Sequence, residues 1–136
     1  MTYHRDYVFN YVATIVDSEF DDVKITSRRE PVSKHFPLVY LHEMNRMRPQ
    51  QYATLANDDD QWESTFECEV YTNDPNGNMG KAYEITEVVE SAMKALGYIE
   101  TFCQPIDNID PLIVRIVSRY IRQIGAGDEI PSPPTT

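Results

Sequence analysis

The stretch WESTFECEVYT, Trp62 to Thr72, alternates between two kinds of side chain along its length. The even-numbered positions as far as Val70 are apolar or small, whereas the odd-numbered positions carry glutamate, threonine or tyrosine. A period of two places successive side chains on opposite faces of a β-strand. The stretch therefore predicts the central strand of a sheet, with one face turned toward a core.

The outward face of this predicted strand carries three glutamates, Glu63, Glu67 and Glu69. Like charges on one face of a sheet are tolerated where water or an opposite charge screens them. We expect solvent to face this row. The same row of glutamates would also suit a subunit interface or the wall of an acidic channel.

The segment LIVRIVSRYIRQI, residues 112–124, fits two structures. Its apolar residues recur at helical spacing, and Asp110-Pro111 would supply a cap and a first turn. Its density of β-branched residues favours a strand instead. A strand would divide the side chains between two sides, with Arg115, Arg119 and Gln123 on one and Val114, Ile116 and Tyr120 on the other.

Two further segments have the apolar spacing of amphipathic helices. The first runs from about Tyr3 to Asp17, with Thr2 as its N-cap. The second runs from about Ala82 to Leu96 and is followed by Gly97, the residue type that most easily takes the left-handed conformation after a helix. These segments predict two helices.

Shorter alternating segments predict additional strands at VKITSR, FPLVYLHEM and YIETFCQ. The order of elements is then helix, two or three strands, helix and two strands. This order predicts an α+β fold in which two helices pack on a mainly antiparallel sheet, an α/β sandwich.

The chain of 136 residues has the length of one domain. We assign residues 1–124 to a single globular domain, with a long surface excursion at residues 42–61 where the sequence is polar and irregular. Residues 125–136 combine Gly and Pro with little to bury, which predicts a disordered tail.

The composition bounds the function. Twelve basic and 22 acidic residues give a formal charge of -10, which argues against a groove that grips nucleic acid. The apolar runs are too short to span a bilayer, and the N-terminus lacks the pattern of a signal peptide, so we expect a soluble protein made in the cytoplasm. Cys68 and Cys103 match no metal-ligand spacing and are expected to be buried free thiols.

The stretch VYTNDPNGNMGKAYEI, residues 70–85, invites a phosphate-binding interpretation because Gly80-Lys81 opens the second predicted helix. A phosphate-binding loop needs a glycine five positions before the second glycine and a hydroxyl after the lysine. Pro75 and Ala82 occupy these two positions. A nucleotide cradle is therefore not expected, although a Gly-Lys pair at a helix start could still attract an anion.

A calcium interpretation of the same stretch rests on three residues, Asp74, Asn76 and Asn78, at the first, third and fifth places of an EF-hand loop. The sixth place holds Met79 instead of glycine, and the twelfth holds Ile85 instead of glutamate. We interpret the loop as a connector rich in turn formers, with a weak ion site as the alternative.

No set of catalytic residues emerges from the sequence. His4, His35 and His42 are scattered, and no nucleophile or metal-binding motif accompanies them. Each is expected to be a surface or partly buried histidine. We expect no enzymatic activity, no cofactor and no metal.

Three soft patterns together resemble a known family. They are E-x-x-V-Y-[ST]-N at residues 67–73, a helix closing in Leu-Gly-Tyr at residues 96–98, and R-x-x-x-R-Y at residues 115–120. With the segments around them, from roughly Pro37 to Ile124, they resemble the tail-terminator, or tail-completion, proteins of long-tailed bacteriophages.

The resemblance implies an α/β sandwich whose subunits close into a ring, typically a hexamer. Such a ring caps the completed tail tube and joins it to the head connector, so the implied partners are copies of the chain, the tail tube protein and a head-completion protein. DNA would pass through without specific binding, and no membrane is involved. The implied location is the head-tail junction of the virion, with the host cytoplasm during assembly.

Ring closure needs two different complementary patches on each subunit. The candidate interface or lumen residues are the glutamate row Glu63, Glu67 and Glu69 and the basic residues Arg115, Arg119 and Arg122. The alternatives are a head-completion or adaptor protein of the same phage neck, or a small calcium-binding or regulatory module built on the 74–78 loop.

Overall fold

The computed structural model describes residues 4–28, 36–47, 62–73, 79–107, 110 and 112–124. Two helices and five strands follow one another in the predicted order. They are α1 (His4–Glu19), β1 (Lys24–Thr26), β2 (Leu38–Met47), β3 (Trp62–Thr72), α2 (Gly80–Ala95), β4 (Ile99–Pro105) and β5 (Val114–Ile124). Both helices lie within one to two residues of their predicted bounds.

The five strands form one sheet in the order β1-β2-β3-β5-β4. Only β1 runs parallel to its neighbour, and the other three pairings are antiparallel. Strand β3 lies in the middle and pairs with β5 along its whole length, from Trp62 opposite Ile124 to Thr72 opposite Val114. The predicted α+β fold and the strand interpretation of residues 114–124 are confirmed.

The core lies between the two helices and one face of this sheet. Cross-strand registry brings Val39, Val70 and Ile116 into one apolar row and places Phe66 beside Tyr120 in another. From the helices, the fully buried side chains are Val8, Val12, Val16, Ala82, Ile85, Val89 and Met93. The helical stripes predicted from the sequence are the ones that pack here.

The C-terminus of α2 closes in a hydrogen-bonded motif that requires Gly97. The Tyr98 N–H donates to the Met93 carbonyl and the Gly97 N–H to the Lys94 carbonyl, each at 3.0 Å. This pair of bonds forms a Schellman motif, in which the residue after the cap is left-handed, and Gly97 has φ +87°. Arg122 Nη1 then donates to the Leu96 carbonyl at 2.7 Å, which ties the helix end to β5.

The predicted excursion at residues 42–61 is wrong in its first part, because β2 continues to Met47. Its polar residues remain paired with β3 through a register shift between Glu43 and Asn45. Backbone hydrogen bonding to β3 supports the extension whatever the polarity of the side chains. The rest of the excursion, the 74–78 loop and the 125–136 tail lie outside the described residues.

The two cysteines are free thiols, as predicted. Cys68 on β3 and Cys103 on β4 both lie opposite Ser118, so the whole of β5 separates them. Two strand spacings amount to about 9 Å or more, beyond the Cα separation of a disulfide. Cys68 is buried, and burial raises the pKa of its thiol, whereas Cys103 is only half-buried.

Within the described part of the chain, neither helix is long and apolar enough to cross a membrane.

Replacing Gly97 with alanine is expected to lower the free energy of unfolding by about 1–2 kcal/mol, because φ +87° is unfavourable for a residue with a Cβ. The added Cβ would also approach Arg122 Nε to 3.2 Å. Urea denaturation measures the change. The matched control is Gly80→Ala at the start of α2, where we expect a change within about 0.5 kcal/mol. Equal costs at the two glycines would contradict the role given to the motif.

Candidate functional site

The sheet face that points away from α1 and α2 carries most of the charged side chains of the inner strands. We call this surface the open face. Its side chains include Tyr40, His42, Glu67, Glu69, Tyr71, Phe102, Arg115, Val117 and Arg119. This face contains five of the six residues that the sequence singled out as interface or lumen candidates, all except Arg122.

Strand registry sets these side chains side by side. His42 lies opposite Glu67 on β3, and Glu67 lies opposite Arg119 on β5. Tyr71 on β3 lies opposite Arg115. Because directly opposed residues are about 4.5–5.5 Å apart at Cβ, acids and bases on adjacent strands are placed within reach of one another.

Glu67 bridges three strands through its two carboxylate oxygens. Its Oε1 lies 3.2 Å from His42 Nε2, and its Oε2 accepts a hydrogen bond of 2.9 Å from Arg119 Nε. Each base is held in turn by an aromatic ring, since His42 stacks on Tyr40 at 4.4 Å and the Arg119 guanidinium lies 5.2 Å from the centre of Phe102. Aromatic contacts on both sides orient the two bases toward the carboxylate.

Glu69 is a fully buried carboxylate, with 0% of its surface exposed. Its Oε1 accepts a 2.9 Å hydrogen bond from Arg115 Nε, a second from Arg115 Nη2 and a third from the Tyr71 hydroxyl at 3.2 Å. Burial works to lower the pKa of Arg115, but the hydrogen bond and charge of Glu69 outweigh it, so the pKa is raised. The two side chains therefore form an ion pair whose carboxylate is fully buried and whose guanidinium is partly exposed.

The expectation that the glutamate row faces solvent is wrong for Glu67 and Glu69. Strand β5 lies directly beside β3, so its arginines neutralise these carboxylates within the same subunit. The acidic and basic residues thus form one network instead of two separate patches. Glu63 is partly exposed at the start of β3, opposite Gln123.

Arg122 does not belong to this network. It occupies an even-numbered position of β5, on the side of Ile116 and Tyr120, and its guanidinium binds the Leu96 carbonyl at the end of α2. A cation in the last turn of a helix also complements the helix dipole. The structure therefore gives Arg122 a capping contact on the core side of the sheet.

A second polar group, which sequence reasoning missed, lies on the core side. The Tyr98 hydroxyl donates to Ser64 Oγ at 2.9 Å, and the Ser64 hydroxyl donates to Glu43 Oε2 at 2.7 Å. Burial raises the pKa of Tyr98, so the phenol stays protonated and acts as a donor. These two hydrogen bonds give the buried Ser64 hydroxyl the partners that a buried polar group requires.

A cleft of about 190 Å³ lies between α2 and β4, lined in part by Glu90, Lys94 and Glu100. Burial, and next the charge and hydrogen bond of Glu90, raise the pKa of Glu100. Pockets for small-molecule ligands usually measure about 300–1,000 Å³, so this cleft is small for a substrate site.

Lys81, considered above as an anion-attracting residue, has contacts within the chain. Its Nζ lies 3.6 Å from a carboxylate oxygen of Asp22 and 4.7 Å from the centre of the Phe20 ring. These contacts join the start of α2 to the segment that follows α1. The residues of the calcium interpretation, Asp74, Asn76 and Asn78, lie outside the described part of the chain.

His42 is a member of the open-face ion-pair network that sequence reasoning did not single out. It is partly buried, as predicted, with 25% of its side chain exposed. Its alternation with Tyr40 on β2 was visible in the sequence, but its pairing with Glu67 depends on the β2–β3 register. Residues 48–61 separate β2 from β3 in the sequence, and they have no strand pattern. The residue pairs between the two strands therefore could not be counted from the sequence.

No family model matches the chain, and no curated protein matches it.

The two ion pairs of the open face are expected to differ in their contribution to stability. Arg115→Met would leave the buried carboxylate of Glu69 without its counter-ion, at a cost of about 3 kcal/mol or more. Arg119→Met removes the partner of a more exposed pair and should cost about 1 kcal/mol or less. Chemical denaturation of the two matched variants measures both values. Similar costs would show that burial does not separate the two pairs.

Proposed function

We propose that the protein is a structural virion protein of a long-tailed bacteriophage, one that caps the completed tail tube as a ring and joins it to the head connector. One observation carries the proposal: the three segments that resemble the tail-terminator family lie in elements that pack against one another. They lie in β3, at the end of α2 and in β5.

The contacts between these elements involve residues of the three segments and their immediate neighbours. Glu67 of the first segment forms an ion pair with Arg119 of the third. Leu96 of the second accepts a hydrogen bond from Arg122, on the strand of the third, and the ring of Tyr98 packs edge-on against Phe66 of β3 at 5.6 Å. The resembling segments thus lie on adjacent elements of one packed unit, and a resemblance on adjacent elements supports a shared fold more strongly than scattered matches do. The α+β architecture agrees with the sandwich that the resemblance implies.

The structure changes which residues we propose for the lumen of such a ring. Arg115 and Arg119 neutralise Glu69 and Glu67, so those carboxylates contribute little net charge to a DNA channel. Exposed acidic charge is present on α2, where Glu84, Glu87 and Glu90 recur at a spacing of three residues. Together with the formal charge of -10, this stripe would repel DNA phosphates and let DNA pass without binding.

The assembly prediction is a closed oligomer at the head-tail joint. Native mass spectrometry and negative-stain electron microscopy of the purified protein, alone and with isolated tails, should show rings on the head-proximal ends of the tails. A phage that lacks the protein should accumulate separate heads and tails. A protein that stays monomeric with tails and is absent from the junction contradicts the proposal, and binding to head connectors alone would favour the head-completion alternative.

The lumen prediction compares two charge reversals. Glu84→Lys with Glu87→Lys on α2 should leave ring formation intact and lower phage yield, because DNA would be retained by the cationic wall. The matched control is Asp6→Lys with Asp17→Lys on exposed positions of α1, which keeps the net charge equal and should leave the yield unchanged. Equal yields from the two variants would remove α2 from the lumen.

A further inference from the structure

Three potential metal ligands converge on the open face. One ligand atom each from His42, Glu67 and Glu69 lies within 4.8 Å of the others. We propose that these residues bind a divalent transition-metal ion, with a composition of ligands suited to Zn²⁺. The inference is independent of the proposed role in a phage tail.

The geometry is already close to that of a metal site. Ligand atoms bound to one tetrahedral zinc at 2.0–2.2 Å stand about 3.4 Å apart. His42 Nε2 and Glu67 Oε1 share a hydrogen bond of 3.2 Å, and a zinc ion that replaced the shared proton would need nearly the same separation. The widest spacing in the group, at most 4.8 Å, exceeds it by about 1.4 Å, a distance that rotation of a glutamate side chain covers.

The kinds of ligand select the class of metal. Neutral imidazole favours zinc and its neighbours in the first transition row over Ca²⁺ and Mg²⁺, which prefer oxygen ligands alone. One imidazole and two carboxylates leave a fourth position for water. The stacking of His42 on Tyr40 fixes the ring with Nε2 directed at Glu67, which reduces the reorganisation needed for binding.

The two arginines of the open face affect metal binding through hydrogen bonding and through their positive charge. Arg119 binds Glu67 through Oε2, so Oε1, on the side of His42, is the oxygen that would take the metal. Hydrogen bonds to the outer oxygen of a metal-bound carboxylate orient it. The positive charges of Arg115 and Arg119 oppose a second cation, whereas the formal charge of -10 on the chain favours one.

The experiment is isothermal titration of the full chain, stripped with chelator, with Zn²⁺ in a buffer that does not bind metal. We expect one zinc per chain. His42→Ala and Glu67→Gln should each weaken binding by about tenfold or more. Co²⁺ used as a spectroscopic probe should give visible absorption bands in the wild type that His42→Ala removes. Ca²⁺ at equal concentration should not displace the zinc.

The controls distinguish zinc binding at this site from zinc binding by other side chains of the protein. His4→Ala changes a residue of α1, the helix that packs on the core side of the sheet, and should leave zinc affinity unchanged. Thermal melts without metal establish that each variant folds. Glu69→Gln is avoided because it would leave Arg115 without its buried partner. Absence of zinc binding by the wild type, equal binding by wild type and His42→Ala, or displacement by Ca²⁺ would overturn the proposal and leave the three residues as a salt-bridge network.

Discussion

The register of β3 against β5 determines both faces of this molecule. Eleven consecutive residue pairs align the two strands, so Phe66 meets Tyr120 on the core side while Glu67 meets Arg119 on the open face. A slip of one residue would exchange the faces, placing arginines against the helices and apolar side chains outside. Apolar packing and ion pairing therefore favour the same alignment, and the fold depends on their agreement.

Buried charge makes this alignment more specific than apolar packing alone would. Glu69 is fully buried, and its desolvation is compensated only in the register that brings Arg115 to it. An ion pair of this kind is weak evidence for net stability, but an alternative pairing that separates the two charges is penalised strongly. The central strands thus carry a polar contact that discriminates against neighbouring registers, while Val70 and Ile116 supply the apolar contact on the other face.

The elements that depend on local pattern could be predicted from the sequence. The alternation of β3, the stripe of α2 and the left-handed Gly97 are properties of short segments, and all three are present. The open-face network could not be predicted, because it joins residues of β2, β3 and β5 whose relative register is set by tertiary packing. Arg122 was grouped with Arg115 and Arg119 by composition, although strand parity places it on the core side. The extension of β2 to Met47 could not be predicted, because its polar side chains give no sign of the backbone pairing with β3.

The two edges of the sheet are unlike, and this restricts how copies of the chain could associate. Strand β1 is three residues long, whereas β4 has seven and presents an outer edge that no described strand covers. Pairing of β4 with β4 of a second copy would use the same edge in both subunits. It would give a two-fold dimer that cannot add further subunits through this edge. Joining β4 to β1 would allow a ring but with only a three-residue ladder. In the ring proposed above, the edges of the described strands would therefore contribute little, and cohesion would come mainly from side chains outside the sheet.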